Sequence, residues 1–107
     1  MAWTVVYLNS SVQAEVEALS ADLRSKFQRI VELVRVKGLE QVREPYVKHL
    51  EDKLWEMRMV GRDGIARAIY VTASGQRIVV LHAFVKKTEK TPRRALETAR
   101  ARAKEVV

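Results

Sequence analysis

The segment 54–92 constrains the fold more than any other part of this chain, because it holds three strand-like runs separated by two glycine turns. The three runs are residues 53–60, 64–73 and 77–85. The turns fall at Gly61–Gly64 and at Ala73–Gln76. Runs rich in β-branched residues and joined by such short turns are typical of consecutive hairpins. We therefore predict a three-stranded antiparallel meander.

The first forty residues predict one strand and two helices. Residues 2–8 are apolar and β-branched, which indicates a strand. The apolar residues that follow recur at steps of three and four, as on one helical face: Val12, Val16, Leu19, Leu23, Phe27, Ile30 and Val34. Asn9-Ser10-Ser11 offers caps for the first helix, and Ser10 and Gln13 have the spacing of a capping box. Gly38 is suited to a left-handed helix end.

A single helix over residues 11–37 would be about 40 Å long at about 1.5 Å per residue. A domain of this size has a radius of gyration of only about 13 Å, so such a helix would extend beyond its core. Ser20-Ala21-Asp22 has helix-capping chemistry in the middle of the periodic stretch. We therefore predict a helical hairpin broken at these three residues.

The remaining segments complete a single domain over residues 1–107. Residues 39–52 include Pro45 and lack a clear period, so we expect a long connection. Thr91 would cap a last helix, with Pro92 at its first helical position. The order β-α-α-β-β-β-α predicts an α+β fold. We expect an antiparallel four-stranded sheet, with the helical hairpin on one face and the other face open to solvent or to a ligand.

Charge is distributed unevenly along the chain. Residues 1–52 hold 7 Lys and Arg against 8 Asp and Glu, whereas residues 53–107 hold 13 against 5. The excess favours a nucleic-acid face or an acidic partner, although a basic protein can also carry such charge for solubility. The chain has no cysteine, which excludes disulfides and thiolate chemistry. We see no signal peptide or membrane segment and expect a cytoplasmic protein.

The meander also carries a distinctive motif. Its residues are Leu54-Trp55-Glu56-Met57-Arg58, then Arg67 and Tyr70, then His82, Phe84, Lys86, Lys87, Thr88, Lys90, Thr91 and Pro92. This pattern and the element order resemble the RelE/ParE superfamily of bacterial toxins, and most closely its phage-derived, HigB-like branch.

The resemblance implies the toxin of a type II toxin–antitoxin pair, a ribosome-dependent endoribonuclease that cleaves mRNA. It implies Arg58 and Arg67 as active-site cations, with Lys86 and Lys87 closing the site. The implied partners are a cognate helix-turn-helix antitoxin, the ribosome and mRNA, with no cofactor. Two alternatives stay open: a gyrase inhibitor like the ParE proteins, and a non-enzymatic module that binds RNA or an acidic protein.

Metal-free RNA cleavage uses the 2′-hydroxyl as nucleophile and leaves a 2′,3′-cyclic phosphate. The planar guanidinium suits phosphate, and Arg67 lies mid-strand on the face of Ile65 and Ile69. It is our first candidate for stabilising the transition state, and an ion pair with Glu56 is the alternative. Arg58 shares a strand face with Glu56, so it could bind phosphate or pair with that glutamate.

The end of the meander offers acid–base candidates. Mutual repulsion lowers the proton affinity of clustered lysines, so Lys86 or Lys87 could transfer a proton, although most such runs are solvated charge. His82 is a candidate general base. By strict alternation it shares a face with Ile78, Val80 and Phe84, so a core histidine is the alternative.

Further cations complete the expected site. Residues that we expect to bind RNA are Lys53, Lys90, Arg93 and Arg94. We predict no metal site, because no His, Asp and Glu set has metal-ligand spacing. Trp55, Met57 and Met59 are expected in the core, with Trp55 as a base-stacking platform the less favoured interpretation.

Overall fold

The computed structural model describes residues 2–62, 64–86 and 90–106. Five strands and three helices are found within these ranges. In chain order they are β1 Thr4–Tyr7, α1 Ser10–Glu17, α2 Ala21–Lys37, β2 Val47–Glu51, β3 Leu54–Gly61, β4 Gly64–Ala73, β5 Arg77–Lys86 and α3 Arg93–Ala103, with a 3₁₀ turn at Leu39–Gln41 before β2.

The strands form one sheet in the order β1-β5-β4-β3-β2. The predicted meander is confirmed, since β3, β4 and β5 pair antiparallel and their bounds agree with the prediction to within one residue. The α+β class is also confirmed. The prediction of a four-stranded, wholly antiparallel sheet is wrong on both counts.

The first correction is β2, which lies inside the predicted connection 39–52 and pairs antiparallel with β3. Val47 is buried, whereas Lys48 and His49 are exposed. An edge strand of this kind is held by backbone hydrogen bonds to one neighbour, so its sequence needs little apolar alternation. The pattern that predicts buried strands therefore misses it.

The second correction is the direction of β1, which runs parallel to β5 with Thr4 opposite Arg77 and Tyr7 opposite Val80. These partners are more than seventy residues apart in the chain. Alternation within a short strand predicts which side chains share a face and carries no information on strand direction.

The predicted helix break is confirmed. The Ser20 hydroxyl accepts a hydrogen bond from the Leu23 N–H at 3.3 Å and caps α2. Gly38 ends α2 with φ 87°, a conformation that favours glycine, as predicted. The cap of α1 is Asn9, the first of the three predicted cap residues, and its side chain, not that of Ser10, accepts from the Val12 N–H.

Helices lie on both faces of the sheet. The apolar face of α1 and α2, including Phe27 and Ile30, packs against one face, where Met57 and Met59 are fully buried. The other face is not left open as expected, because α3 packs on part of it through Ala95 and a fully buried Ala99. Small side chains allow the helix to approach the sheet closely. We call this second face of β3, β4 and β5 the α3 face.

Candidate functional site

The pairing of the central strands brings four predicted site residues onto the α3 face. Arg67 lies opposite Arg58 on one side and opposite Phe84 on the other. Directly paired residues point to the same face of a sheet. Lys86 and His82 are each two residues from Phe84, so they share that face as well. Arg58, Arg67, His82 and Lys86 are therefore gathered on one side of three adjacent strands.

A buried carboxylate lies between the two arginines. Glu56 Oε2 is 3.4 Å from Arg67 Nε and 3.7 Å from Arg58 Nε. Glu56 is 2% exposed and Arg67 is 3% exposed, whereas the Arg58 side chain keeps 25% of its surface. The ion-pair alternative considered for both arginines is thus the arrangement observed. Two cations share one anion, so this group carries a formal net charge of +1.

The segment before α3 covers this ion pair. The Thr91 hydroxyl donates a hydrogen bond of 2.8 Å to Glu56 Oε1. Thr91 therefore does not cap α3 as predicted, and Pro92 occupies the cap position with no side-chain hydrogen bond. A buried carboxylate gains more from a hydroxyl donor than an exposed helix end does. Of the two arginines that share Glu56, Arg58 reaches solvent and Arg67 is buried.

His82 is held by a second carboxylate, that of Glu15 on α1. Its Nδ1 lies 2.9 Å from Glu15 Oε1, which also accepts from the Ala83 N–H at 3.1 Å. Arg102 of α3 donates to the same oxygen and to the Leu81 carbonyl. Glu15 therefore joins α1, β5 and α3 at one point.

The protonation of this group follows from its contacts. Burial alone would raise the pKa of Glu15, but the hydrogen bonds from Ala83, His82 and Arg102 together hold that pKa below its usual value. The carboxylate is thus ionised at neutral pH and requires a proton on His82 Nδ1. In the neutral ring, Nε2 is then the acceptor, which is the form a general base needs.

The face assigned to His82 by strict alternation is wrong in part. The register of β4 and β5 shifts between Ile69 and Tyr70, so that Tyr70 pairs with Val80 while Ile69 pairs with His82. The extra residue, Leu81, is a β-bulge that moves His82 to the opposite face from Val80. His82 does share a face with Phe84, and their rings stack 5.0 Å apart.

The other predicted cations are dispersed. Lys86 is 4% exposed on the α3 face, and Lys87 lies outside the described residues. Lys53 is exposed and lines a different cavity that also contains Glu51 and Asp52. The exposed cations around the start of α3 are Lys90, Arg93 and Arg94. Lys53 thus lies near the end of α3, beside Arg100 and Ala103, whereas these three cations lie near its start.

Trp55 was expected in the core, and this prediction is wrong, since 38% of its surface is exposed. It packs edge-on against His49 of β2, with ring centroids 4.9 Å apart. Together with Tyr70 it lines an apolar cavity of roughly 500 Å³. Trp55 lies near the edge of the sheet, where β2 is the last strand, and its ring faces this cavity.

Sequence reasoning missed Glu15 and Arg102, which contact His82 or its carboxylate. Glu15 lies between the buried residues Val12 and Val16 on a short helix, which places it beside an apolar helical face. That position is a weak signal, because charged residues commonly flank such a face. Its contact with Ala83 spans 68 positions in the chain, so no local pattern could have found it.

Within residues 2–62, 64–86 and 90–106, no group of three or more His, Cys, Asp or Glu could hold a metal ion. In the same ranges, no helix is both long enough and apolar enough to cross a membrane.

The fold and the site define a small, basic α+β protein that gathers cations on one sheet face. The model of the family described as "Phage derived protein Gp49-like (DUF891)" matches residues 14–104. Because this match spans most of the chain, the protein belongs to the Gp49-like family, a toxin-like family of phage-derived proteins associated with toxin–antitoxin systems. No curated protein matches the chain significantly.

Proposed function

We propose that this protein is the toxin of a type II toxin–antitoxin pair, of the HigB-like kind, and that it cleaves mRNA on the ribosome. The observation that carries the proposal is the gathering of Arg58, Arg67, His82 and Lys86 on the α3 face of a Gp49-like chain. Guanidinium groups suit the charge that develops on a phosphodiester during cleavage.

In the proposed reaction, the ribose 2′-oxygen attacks phosphorus while the bond from phosphorus to the 5′-oxygen breaks. His82 Nε2 takes the 2′-hydroxyl proton, and a lysine of the Lys86–Lys87 pair gives a proton to the leaving 5′-oxygen. Arg58 is the cation that a phosphate meets first, because it reaches solvent. Arg67 adds positive charge from beneath. The products are a 2′,3′-cyclic phosphate and a 5′-hydroxyl.

The ribosome would hold the message in a geometry that favours in-line attack, so much of the rate would come from positioning. The proposed chemistry uses no metal or cofactor. The proposed antitoxin is a helix-turn-helix protein that covers the basic face. An acidic surface on the antitoxin would associate faster with this basic face, because opposite charges steer the encounter.

The test is cleavage of a translated mRNA by purified protein, with and without ribosomes. We expect the mRNA to be cleaved only when ribosomes are present, and the cleaved ends to carry 2′,3′-cyclic phosphates. Arg58→Ala should strongly reduce cleavage, because it removes the exposed cation of the site. Arg35→Ala is the matched control, since Arg35 is an exposed arginine on α2 that pairs only with neighbouring Glu32 among the described residues. Intact mRNA under conditions where a related toxin cuts would refute the proposal.

The burial of Arg67 and Lys86 favours a second candidate, a non-enzymatic toxin that acts by binding. A buried cation paired with a carboxylate stabilises the fold without touching RNA. This candidate predicts affinity for RNA or for an acidic protein, with no cleavage under any condition. A supercoiling assay with gyrase tests the ParE-like form of this activity directly.

A further inference from the structure

A second basic cavity lies where α2 meets the free edge of β3. The last backbone contact between β3 and the segment before β2 is a 2.8 Å hydrogen bond from the Arg58 N–H to the Tyr46 carbonyl. Beyond it the chain turns away, and Val60 is 64% exposed. The cavity has a volume of roughly 260 Å³. It is lined by Lys26, Arg29, Ile30, Pro45, Tyr46, Arg58 and Val60.

The lining contains three cations and no carboxylate. Lys26 and Arg29 are three positions apart on α2, so they project from the same side of the helix. Within the part of the chain that the structure describes, neither forms an ion pair. Arg58, whose guanidinium lies 3.7 Å from Glu56, lines the cavity from the sheet. Three cations from two elements, α2 and β3, thus line one cavity.

The same cavity offers a surface for a flat ring. Tyr46 is 40% exposed, although a tyrosine gains by burying its ring. Ile30, Pro45 and Val60 provide the apolar remainder of the lining. The volume is below the roughly 300–1,000 Å³ of a typical small-molecule site, so it suits one base better than a whole cofactor. Cations beside an exposed aromatic ring are the combination that binds single-stranded nucleic acid.

We propose that this cavity binds one nucleotide of single-stranded RNA, with its phosphate on Lys26, Arg29 and Arg58 and its base against Tyr46. The inference rests on the proposed function in one respect, namely that RNA crosses the α3 face at Arg58. Arg58 belongs to both places, since it lines the cavity and lies beside Glu56. The cavity would therefore hold a nucleotide next to the one that is cleaved and would fix the position of the message.

The experiment measures binding of a short fluorescein-labelled single-stranded RNA by anisotropy, without ribosomes. An abasic oligomer with the same number of phosphates serves as the second probe. We expect the protein to bind the RNA at least about five-fold more tightly than the abasic oligomer, which corresponds to the lower end of measured stacking contributions. Tyr46→Ala should abolish this preference, and Tyr46→Phe should keep it.

The phosphate contacts are tested by the salt dependence of binding. Each neutralised phosphate of a single strand contributes about 0.7 to the slope of log K against log salt. Arg29→Ala should lower the magnitude of that slope by about this amount, because it removes one contact. Arg35→Ala removes the same charge from the same helix outside the cavity and should leave the slope unchanged. Both arginines are exposed, and circular dichroism checks that each variant remains folded.

Three results would overturn the inference. They are equal binding of the two oligomers, equal effects of Arg29→Ala and Arg35→Ala, and no binding up to about 1 mM, tenfold above the weak end of non-specific affinities. The outcome is separable from that of the proposed function. If the protein binds RNA as described and never cleaves mRNA, only the nuclease proposal is refuted. If Tyr46→Ala cleaves mRNA as wild type does and the two oligomers bind equally, only the nucleotide site is refuted.

Discussion

Removal of the Glu56 charge should destabilise the fold far more than removal of its exposed partner. Glu56 and Arg67 are 2% and 3% exposed and face each other at 3.4 Å. Breaking such a buried pair from one side costs about 3–5 kcal/mol, since the other charge stays buried and loses this carboxylate. We expect this loss for Glu56→Ala. It is a large share of the roughly 5–15 kcal/mol that stabilises a typical domain.

Glu56→Gln distinguishes the contribution of the Glu56 charge from that of its side-chain packing. The amide keeps the side-chain volume and can still accept the Thr91 hydroxyl, so only the charge is lost. We expect a cost of at least about 2 kcal/mol, in the range of hydrogen bonds to charged groups. In an Arg67→Met background the same change should cost little or even stabilise, because the buried cation has gone. The control is Arg58→Ala, whose 25% exposed side chain should contribute only about 0–1 kcal/mol.

The assay is urea unfolding followed by far-ultraviolet circular dichroism, with the midpoint and the slope m compared between variants. A change of midpoint at constant m reports stability itself. If the loss of unfolding free energy for Glu56→Gln lies within about 0.5 kcal/mol of that for Arg58→Ala, the usual range of a surface substitution, the buried-pair argument is refuted. An undiminished cost of Glu56→Gln in the Arg67→Met background would refute it equally.

The remaining predictions concern activity, pH and backbone packing. Arg67→Ala should lower ribosome-dependent cleavage per folded molecule by about 2–4 kcal/mol of transition-state stabilisation; unchanged cleavage, with the folded fraction measured in parallel, would remove this arginine from the site. The pKa of Glu15 is lower in the fold than its usual value, so its ionised form adds stability that is complete above about pH 4.5 and is lost as the pH falls through the lowered pKa. The stability gap between wild type and Glu15→Gln should therefore narrow in acid, and a gap independent of pH would contradict this account. Gly61→Ala should destabilise by about 1 kcal/mol or more, because a Cβ would collide with the Asp22 carboxylate that accepts the Arg62 N–H; a thermal melt equal to that of wild type would show that Asp22 can move freely.

The local elements of this fold were predictable because they depend on short-range chemistry. Alternation and glycine turns gave the meander to within one residue of its observed bounds. Helical periodicity identified the apolar face of α1 and α2, and the hydroxyl of Ser20 marked their break. Each of these signals acts over a few residues and is visible in one window of sequence.

The site was predictable only as a set of residues that share a face. Alternation correctly placed Arg58 and Glu56 on one face of β3, and Arg67 with Ile65 and Ile69 on one face of β4. It did not reveal that Thr91 covers them, that a bulge redirects His82, or that Glu15 binds its ring. Each of these facts depends on a contact between distant segments or on one extra residue in a strand, which changes the register without a clear local signature.

The sequence by itself determined the helices, the strands other than β2, and which cations lie in one meander, because backbone preference and side-chain period are local properties. Only the tertiary structure decided that Arg67 is buried against Glu56 while Arg58 reaches solvent, and that Lys26 and Arg29 meet Tyr46 around one cavity. Burial and charge balance belong to pairs of segments brought together by folding. The physical reason is that desolvation depends on everything that surrounds a group, and most of those surroundings are remote in the chain.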